Sequence, residues 1–364
     1  MKKKIISILI IAVLIIFALL LSKRQQINTT AQTSFEFDTV ITIQIYEGGD
    51  AKKVLESCQK KCEYYESILS RTVVGSDVWN INHSNGQPVQ VSEDTARLIS
   101  ESVKYCDLSK GALDITMAPV IEMWNFTDES TASATETKDE EAEAQNGLIA
   151  VYGRVPIAEE LLSKLGYVNY KEIRVEVDPN NNMPIVSVSQ GYGIDLGAVA
   201  KGYIADRLAE YMIDNGVTSA IINLGGNTLC IGEKPEKAFF STKYVPFKVG
   251  IQKPFGVPGE VAQVVELGEG AGTYYNGVHI DSLVTSGTYQ RYFEKDGTIY
   301  HHILSTENGL PVWNGLDSVS IHCGSSMEAD ALSTAVFCLG QEKGQELLDT
   351  LPEAEGIFIS SIEQ

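Results

Sequence analysis

Residues 191–216 read GYGIDLGAVAKGYIADRLAEYMIDNG, a glycine-rich turn that opens a long amphipathic helix ending at Gly216. A strand-rich stretch runs up to Ser189 before it, and AIINLGGNTLCIG (220–232) follows as a buried strand with a Gly-Gly turn. The same alternation extends in both directions. Upstream, FEFDTVITIQIYE (35–47) alternates like a strand, Ala51–Leu69 and Val91–Cys106 are helical, and LSRTVVGSDVWNIN (69–82) between them is loop-like. Ser92 and Thr95 are candidate caps for the second helix. GALDITMAPVIEMWNF (111–126) leads from a turn into an apolar segment, and Ala158–Leu165 is a further helix. Downstream, strands and loops continue through TSGTYQRYF (285–293) and YHHILSTENGLPV (300–312) to the strand SVSIHCG (318–324) and a last apolar helix, EADALSTAVFCLG (328–340). Strand-rich stretches separated by a few long helices and many glycine turns predict one compact α+β unit.

The chain's 364 residues, 44% hydrophobic and 21% charged, suit a globular protein with a sizeable core. Two segments depart from that composition. After MKKK, residues Ile5 to Leu21 form an uncharged apolar run of seventeen, followed by Lys23 and Arg24. That length is the lower limit for a spanning helix, and no small-residue cleavage site follows, so residues 1–24 are expected to be a membrane anchor or signal. The N-terminal lysines put the rest of the chain on the extracytoplasmic side. Residues 25–34 are a polar linker, and residues 35–364 form the folded part. Within it, residues 127–147 carry seven acids against Lys138 and no aliphatic larger than alanine, which predicts a disordered surface insertion.

The net charge of −20 understates the acidity of the exported part, because the first 24 residues hold five basic side chains and no acid, leaving −25. Such a surface repels nucleic acid, and no basic patch offsets it. Six cysteines (58, 62, 106, 230, 323, 338) show no zinc-like pairing and read mostly as small buried hydrophobes.

Several stretches have residues suited to chemistry. In the last helix Asp330 and Thr334 lie one turn apart on one face beside an apolar stripe. Two readings fit: a first-turn acid complementing the helix dipole with Thr334 bonding back to a carbonyl, or a pair of oxygen ligands for a hard metal. GIDLGAVAKG has the form of an anion cradle at a helix start, with Lys201 as a mobile cation. LGGN (224–227) lets another group approach the backbone, and TSG (285–287) with Arg291 suits a phosphate or ribose. His301 and His302 precede a small-residue turn and either is of the right type for a general base. Asp114, in a mainly apolar run, must be paired, coordinated or exposed.

In their order along the chain, SRTVVGSDVWNIN, GALDITMAPV, GIDLGAVAKGYIADR, INLGGN, TSGTYQRYF, HHILSTENGLP and EADALSTAVFCLG resemble the ApbE family of FAD:protein FMN transferases. The resemblance implies a two-lobed fold with mixed, largely antiparallel sheets flanked by helices, and FAD held between the lobes. It implies Mg²⁺-dependent transfer of FMN from FAD to a threonine of an exported acceptor, an electron-transfer protein, with release of AMP. On that match Asp330, Thr334 and the Ala198 carbonyl correspond to magnesium ligands. Asp195, Lys201, Leu113, Asp114, Ile115, Phe37, Arg71 and Ile303 correspond to flavin-nucleotide contacts, and His302 to the base acting on the acceptor. This sequence departs from the family pattern at HILSTENG, where Ser305, Thr306 and Asn308 replace Asp, Pro and Thr, at Phe37–Asp38, and at Asn227. Two alternatives use the same residues: an FAD pyrophosphatase giving FMN and AMP, and a non-catalytic membrane-anchored flavin carrier.

Overall fold

The computed structural model describes residues 29–126, 153–238, 241–257, 259–268 and 272–360. The apolar run Ile5–Leu21 and the acidic insertion 127–147 lie outside the described residues. Among those described, no helix is long and apolar enough to cross a membrane.

The main sheet's strands, numbered among themselves, are β1 (Thr30–Glu36), β2 (Thr39–Gly48), β3 (Val217–Leu224), β4 (Asn227–Ile231), β5 (Thr273–Tyr275), β6 (Val278–Gly287), β7 (Ser318–Cys323) and β8 (Glu355–Ile359). Their order is β1-β2-β3-β4-β6-β7-β8, with β5 added to β6, and every ladder is antiparallel. The α+β expectation therefore holds. Parallel pairing among the described residues is confined to an isolated bridge, Met117 to Gly193. The helices among the described residues are α1 (Ala51–Leu69), α2 (Asp77–Asn82), α3 (Glu93–Leu108), α4 (Ala118–Trp124), α5 (Ala158–Leu165), α6 (Ala200–Asp214), α7 (Ser326–Leu339) and α8 (Gln341–Leu348).

Two expectations need correction at the local level. Residues 30–34, read as linker, belong to β1, and FEFDTVITIQIYE is a hairpin rather than one strand. Phe37 and Asp38 form its two-residue turn, both with φ of 55°. The loop-like stretch 69–82 contains the six-residue α2, started by Ser76, whose hydroxyl accepts from Trp79 N.

The core explains where the site sits. Helix α7 is apolar nearly all round, and Ala329, Leu332, Val336 and Phe337 are buried against β6, β7 and α6. Each of the larger side chains is worth roughly 1.5–3 kcal/mol of burial. The β1–β2 and β3–β4 turns emerge at the same end of the sheet, because Ile41 pairs with Leu224 and Asn227 with Val284. At the second turn Gly225 and Gly226 both have positive φ, and a Cβ on Gly225 would overlap the Thr39 side chain. The close approach foreseen for LGGN is thus made by the neighbouring hairpin. All six cysteines are free thiols, five of them buried and Cys338 partly so, as the sequence reading expects.

Candidate functional site

Helices α6 and α7 cross so closely that a Cβ on Gly202 would overlap the Ser326 carbonyl. At that crossing each helix lends the other a carboxylate. Asp206 of α6 caps the start of α7, accepting from Ser325 Oγ at 2.8 Å, Ser326 N at 2.8 Å and Met327 N at 3.0 Å. Asp330 of α7 accepts from Gly202 N at 2.9 Å, near the start of α6, where Val199 at the N-cap supplies no side-chain bond. Asp330 therefore serves a neighbouring helix rather than its own dipole. Gly202's N–H is accordingly no longer free for an anion, which narrows the cradle reading of GIDLGAVAKG. Thr334 Oγ1 lies 3.1 Å from Ser286 Oγ, which in turn lies 2.8 Å from Ser333 Oγ.

Burial pushes the Asp330 carboxyl above its ordinary pKa, opposed by the Lys201 ammonium, the Gly202 N–H and the Asn227 amide. Asn227 is 2% exposed and stands on β4 opposite Val284, on the sheet face that packs against α7. It is near enough to favour the ionised carboxylate, yet its Nδ2 has no hydrogen-bond partner of sound geometry in the protein. Lys201 Nζ donates to Gly197 O at 3.1 Å, in the turn that carries Ala198. The same ammonium also bears electrostatically on His302.

His302 stands opposite Arg291 at the open end of the hairpin 292–301; its N–H and its Nδ1 both lie 3.1 Å from the Arg291 carbonyl. Burial, with Arg291 and His301 nearby, lowers its pKa to about 3, so the ring is neutral at neutral pH. A carbonyl can only accept, so Nδ1 carries the proton and Nε2 keeps its lone pair. His301 is the structural member of the pair, buried between Val312 O and Ile303 N at 3.0 and 3.3 Å. The Arg291 guanidinium reaches the Asp38 carbonyl at 3.3 Å and its carboxylate at 3.5 Å. The adjacent Phe37 is fixed through its N–H to Glu66 Oε1 at 3.1 Å.

A second group lies along the turn towards residue 195. Arg71 Nε donates to Asp195 Oδ2 at 2.6 Å, and Asp195 Oδ1 accepts from Gly197 N at 2.8 Å. Asp195 N donates to Ile115 O at 2.8 Å, which joins the GALDIT segment to this group. The Asp114 carboxylate is spent inside that segment. It accepts from Thr116 N, Thr116 Oγ1 and Tyr170 N at 2.8, 2.6 and 2.9 Å, while burial raises its pKa. Leu113, Ile115 and Ile303 have side chains buried in the core. Ile303's N–H and carbonyl are both bonded, to His301 and Val312.

The donors collected on α7 and in the turn before α6 are all oxygens: the Asp330 carboxylate, the Thr334 hydroxyl and the Ala198 carbonyl. That set suits a hard divalent ion such as Mg²⁺, and the unpartnered Asn227 amide and Lys201 suit an anion beside it. Among the described residues no group of three or more His, Cys, Asp or Glu is arranged to hold a metal, so the donor set is poor in charge.

Comparison with known proteins gives the family. The ApbE family model matches residues 37–358. The chain belongs to the ApbE family. An FAD:protein FMN transferase of Treponema pallidum (strain Nichols) is 28% identical over 343 residues, covering 92% of this chain and 86% of that protein. One from Klebsiella pneumoniae (strain 342) is 30% identical over 298 residues, covering 81% and 78%. The crystal structure of the ApbE protein of Thermotoga maritima superposes with a TM-score of 0.72 at 26% identity, covering 92% of this chain and 94% of that one. The apo flavinyl transferase ApbE of Pseudomonas stutzeri shares the fold, with a TM-score of 0.70 at 22% identity over 92% and 91% of the two chains.

Within this ApbE family member Lys201 bears on both Asp330 and His302, and Thr334 lies one turn from Asp330 on α7. Arg71, Asp195 and Ile115 are joined by hydrogen bonds at the turn that leads to Ala198. The sequence reading missed two partners, Gly202 N–H for Asp330 and Ser286 for Thr334. Both come from segments far away in the chain, and helical or strand periodicity does not report such pairings. Asp206 stands within the quoted GIDLGAVAKGYIADR, where the sequence reading gave it no role.

Proposed function

We propose that this protein is a flavin transferase that moves FMN from FAD to a threonine of an exported acceptor protein, with AMP as the leaving group. The observation that carries the reading is the segment 197–202, where Asp330 holds the Gly202 N–H and Lys201 bonds to the Gly197 carbonyl while bearing on both Asp330 and the neutral His302. Moving a phosphoryl group from a diphosphate to a hydroxyl calls for such a set: charge neutralisation, positioning and a proton acceptor.

Asp330, Thr334 and the Ala198 carbonyl would hold Mg²⁺, which when bound neutralises diphosphate charge. Lys201 and Arg291 are placed to bind phosphate oxygens. Arg71 and Asp195, already paired, orient the turn between the two ends of the dinucleotide. His302 Nε2 takes the proton as the threonine Oγ attacks the FMN phosphorus. The P–O bond to AMP breaks, and its electron pair leaves with AMP. The Ile5–Leu21 run supports anchoring in the cell membrane with the catalytic part outside it, where an electron-transfer acceptor would be met.

The test is to incubate the full-length protein with FAD, Mg²⁺ and a candidate acceptor domain. FMN-sized mass on an acceptor threonine together with AMP is the expected result. AMP with an unmodified acceptor across several candidate domains points to a pyrophosphatase, and tight FAD binding without AMP points to a carrier. Cell fractionation tests the anchor, which fails if the intact chain stays soluble.

A further inference from the structure

The Asn227 amide is the least satisfied group at the site: it is buried and bears on the Asp330 carboxylate, yet no hydrogen bond of full geometry reaches its Nδ2. Such a donor normally costs stability unless a ligand completes it. What completes it must be an acceptor, and the nearby Lys201 ammonium makes an anionic oxygen the best one. An amide in this position also leaves Asp330 as the one carboxylate there, with Thr334 and Ala198 contributing neutral oxygens. A divalent cation entering alone would meet a single negative charge and the repulsion of Lys201. Dinucleotide diphosphate would supply both the missing negative charge and the acceptor that Nδ2 lacks.

We propose that Asn227 makes the cation and the diphosphate bind as a pair: its amide holds a diphosphate oxygen, and its neutrality keeps the cation from binding tightly alone. The inference rests on the metal reading given above. By linkage, each ligand then raises the other's affinity by the same factor.

The experiment titrates full-length protein with Mn²⁺, followed by electron paramagnetic resonance, with and without ADP as the diphosphate probe, after allowing for Mn²⁺ bound by ADP in solution. Wild type should bind Mn²⁺ weakly alone and about tenfold or more tightly with ADP. Asn227→Asp should bind Mn²⁺ alone about tenfold more tightly than wild type and lose most of the coupling to ADP. Asn227→Ala should weaken ADP binding measured in EDTA, a readout independent of the metal. Wild-type-like Mn²⁺ affinity and coupling in Asn227→Asp, with Asp330→Ala losing Mn²⁺, would overturn this inference alone. Unchanged Mn²⁺ binding in Asp330→Ala would remove the metal reading and this inference with it.

Discussion

Asp206 and Asp330 occupy mirror-image positions at the α6–α7 crossing, each bonding to the main chain of the opposite helix, yet they have different work. Asp206 accepts three hydrogen bonds and has little capacity left, which marks a structural brace. Asp330 accepts one backbone bond of full geometry, with the Lys201 ammonium and the loosely held Asn227 amide beside it, so much of its acceptor capacity is unspent. Burial raises both carboxyls, so the shifts alone would not tell them apart. The unspent valence does.

The largest break with this comparison would come at Asp330. Asp330→Ala should cut AMP release at least about 100-fold with the fold retained by circular dichroism, and full activity without metal would end the assignment. Next, Gly202→Ala forces α6 and α7 apart and should cost about 1–3 kcal/mol in denaturant unfolding, with activity falling as both braces shift. If it unfolds like wild type, the close crossing is not what fixes Asp330. Asp206→Ala should cost about 1–2 kcal/mol through loss of the α7 cap, with a far smaller loss of turnover than Asp330→Ala. Equal losses of turnover would erase the distinction drawn here.

The last test of the brace is a pH dependence. The Asp206 carboxyl is raised from 3.8 to about 6, so the folded state holds its proton more tightly than the unfolded chain. Its contribution to stability is full below about pH 4 and is lost as pH rises through about 6. Melting temperatures of Asp206→Asn should therefore decline less between those values than those of wild type, and parallel curves would refute the shift.

Much of the scaffold was legible because periodicity is local. Ala51–Leu69 and Ala158–Leu165 have the limits that their apolar spacing implies. β1 was not, since its half-buried face is built from Gln32 and Ser34, so TAQTS lacks the apolar–polar alternation that marks a strand. At the site, residue types could be read but not their partners. Asp330 and Thr334 could be paired from helical spacing, whereas the bond to Gly202 spans 128 positions. Asp114, an acid in an apolar run that had to be paired, coordinated or exposed, proves to be paired, and its partners Thr116 and Tyr170 could not be named from the sequence.

The free cysteines have a consequence for chemical durability. Burial pushes the thiols of Cys58, Cys62, Cys106 and Cys338 up to about 12, and those of Cys230 and Cys323 are raised as well. At neutral pH a thiol of that kind is ionised roughly once in 100,000 molecules, and only the thiolate attacks a disulfide or an oxidant. Cys58 and Cys62, one helical turn apart on α1, are both free thiols. Mass spectrometry of the folded protein after exposure to an oxidising glutathione buffer is therefore expected to find these six thiols unmodified.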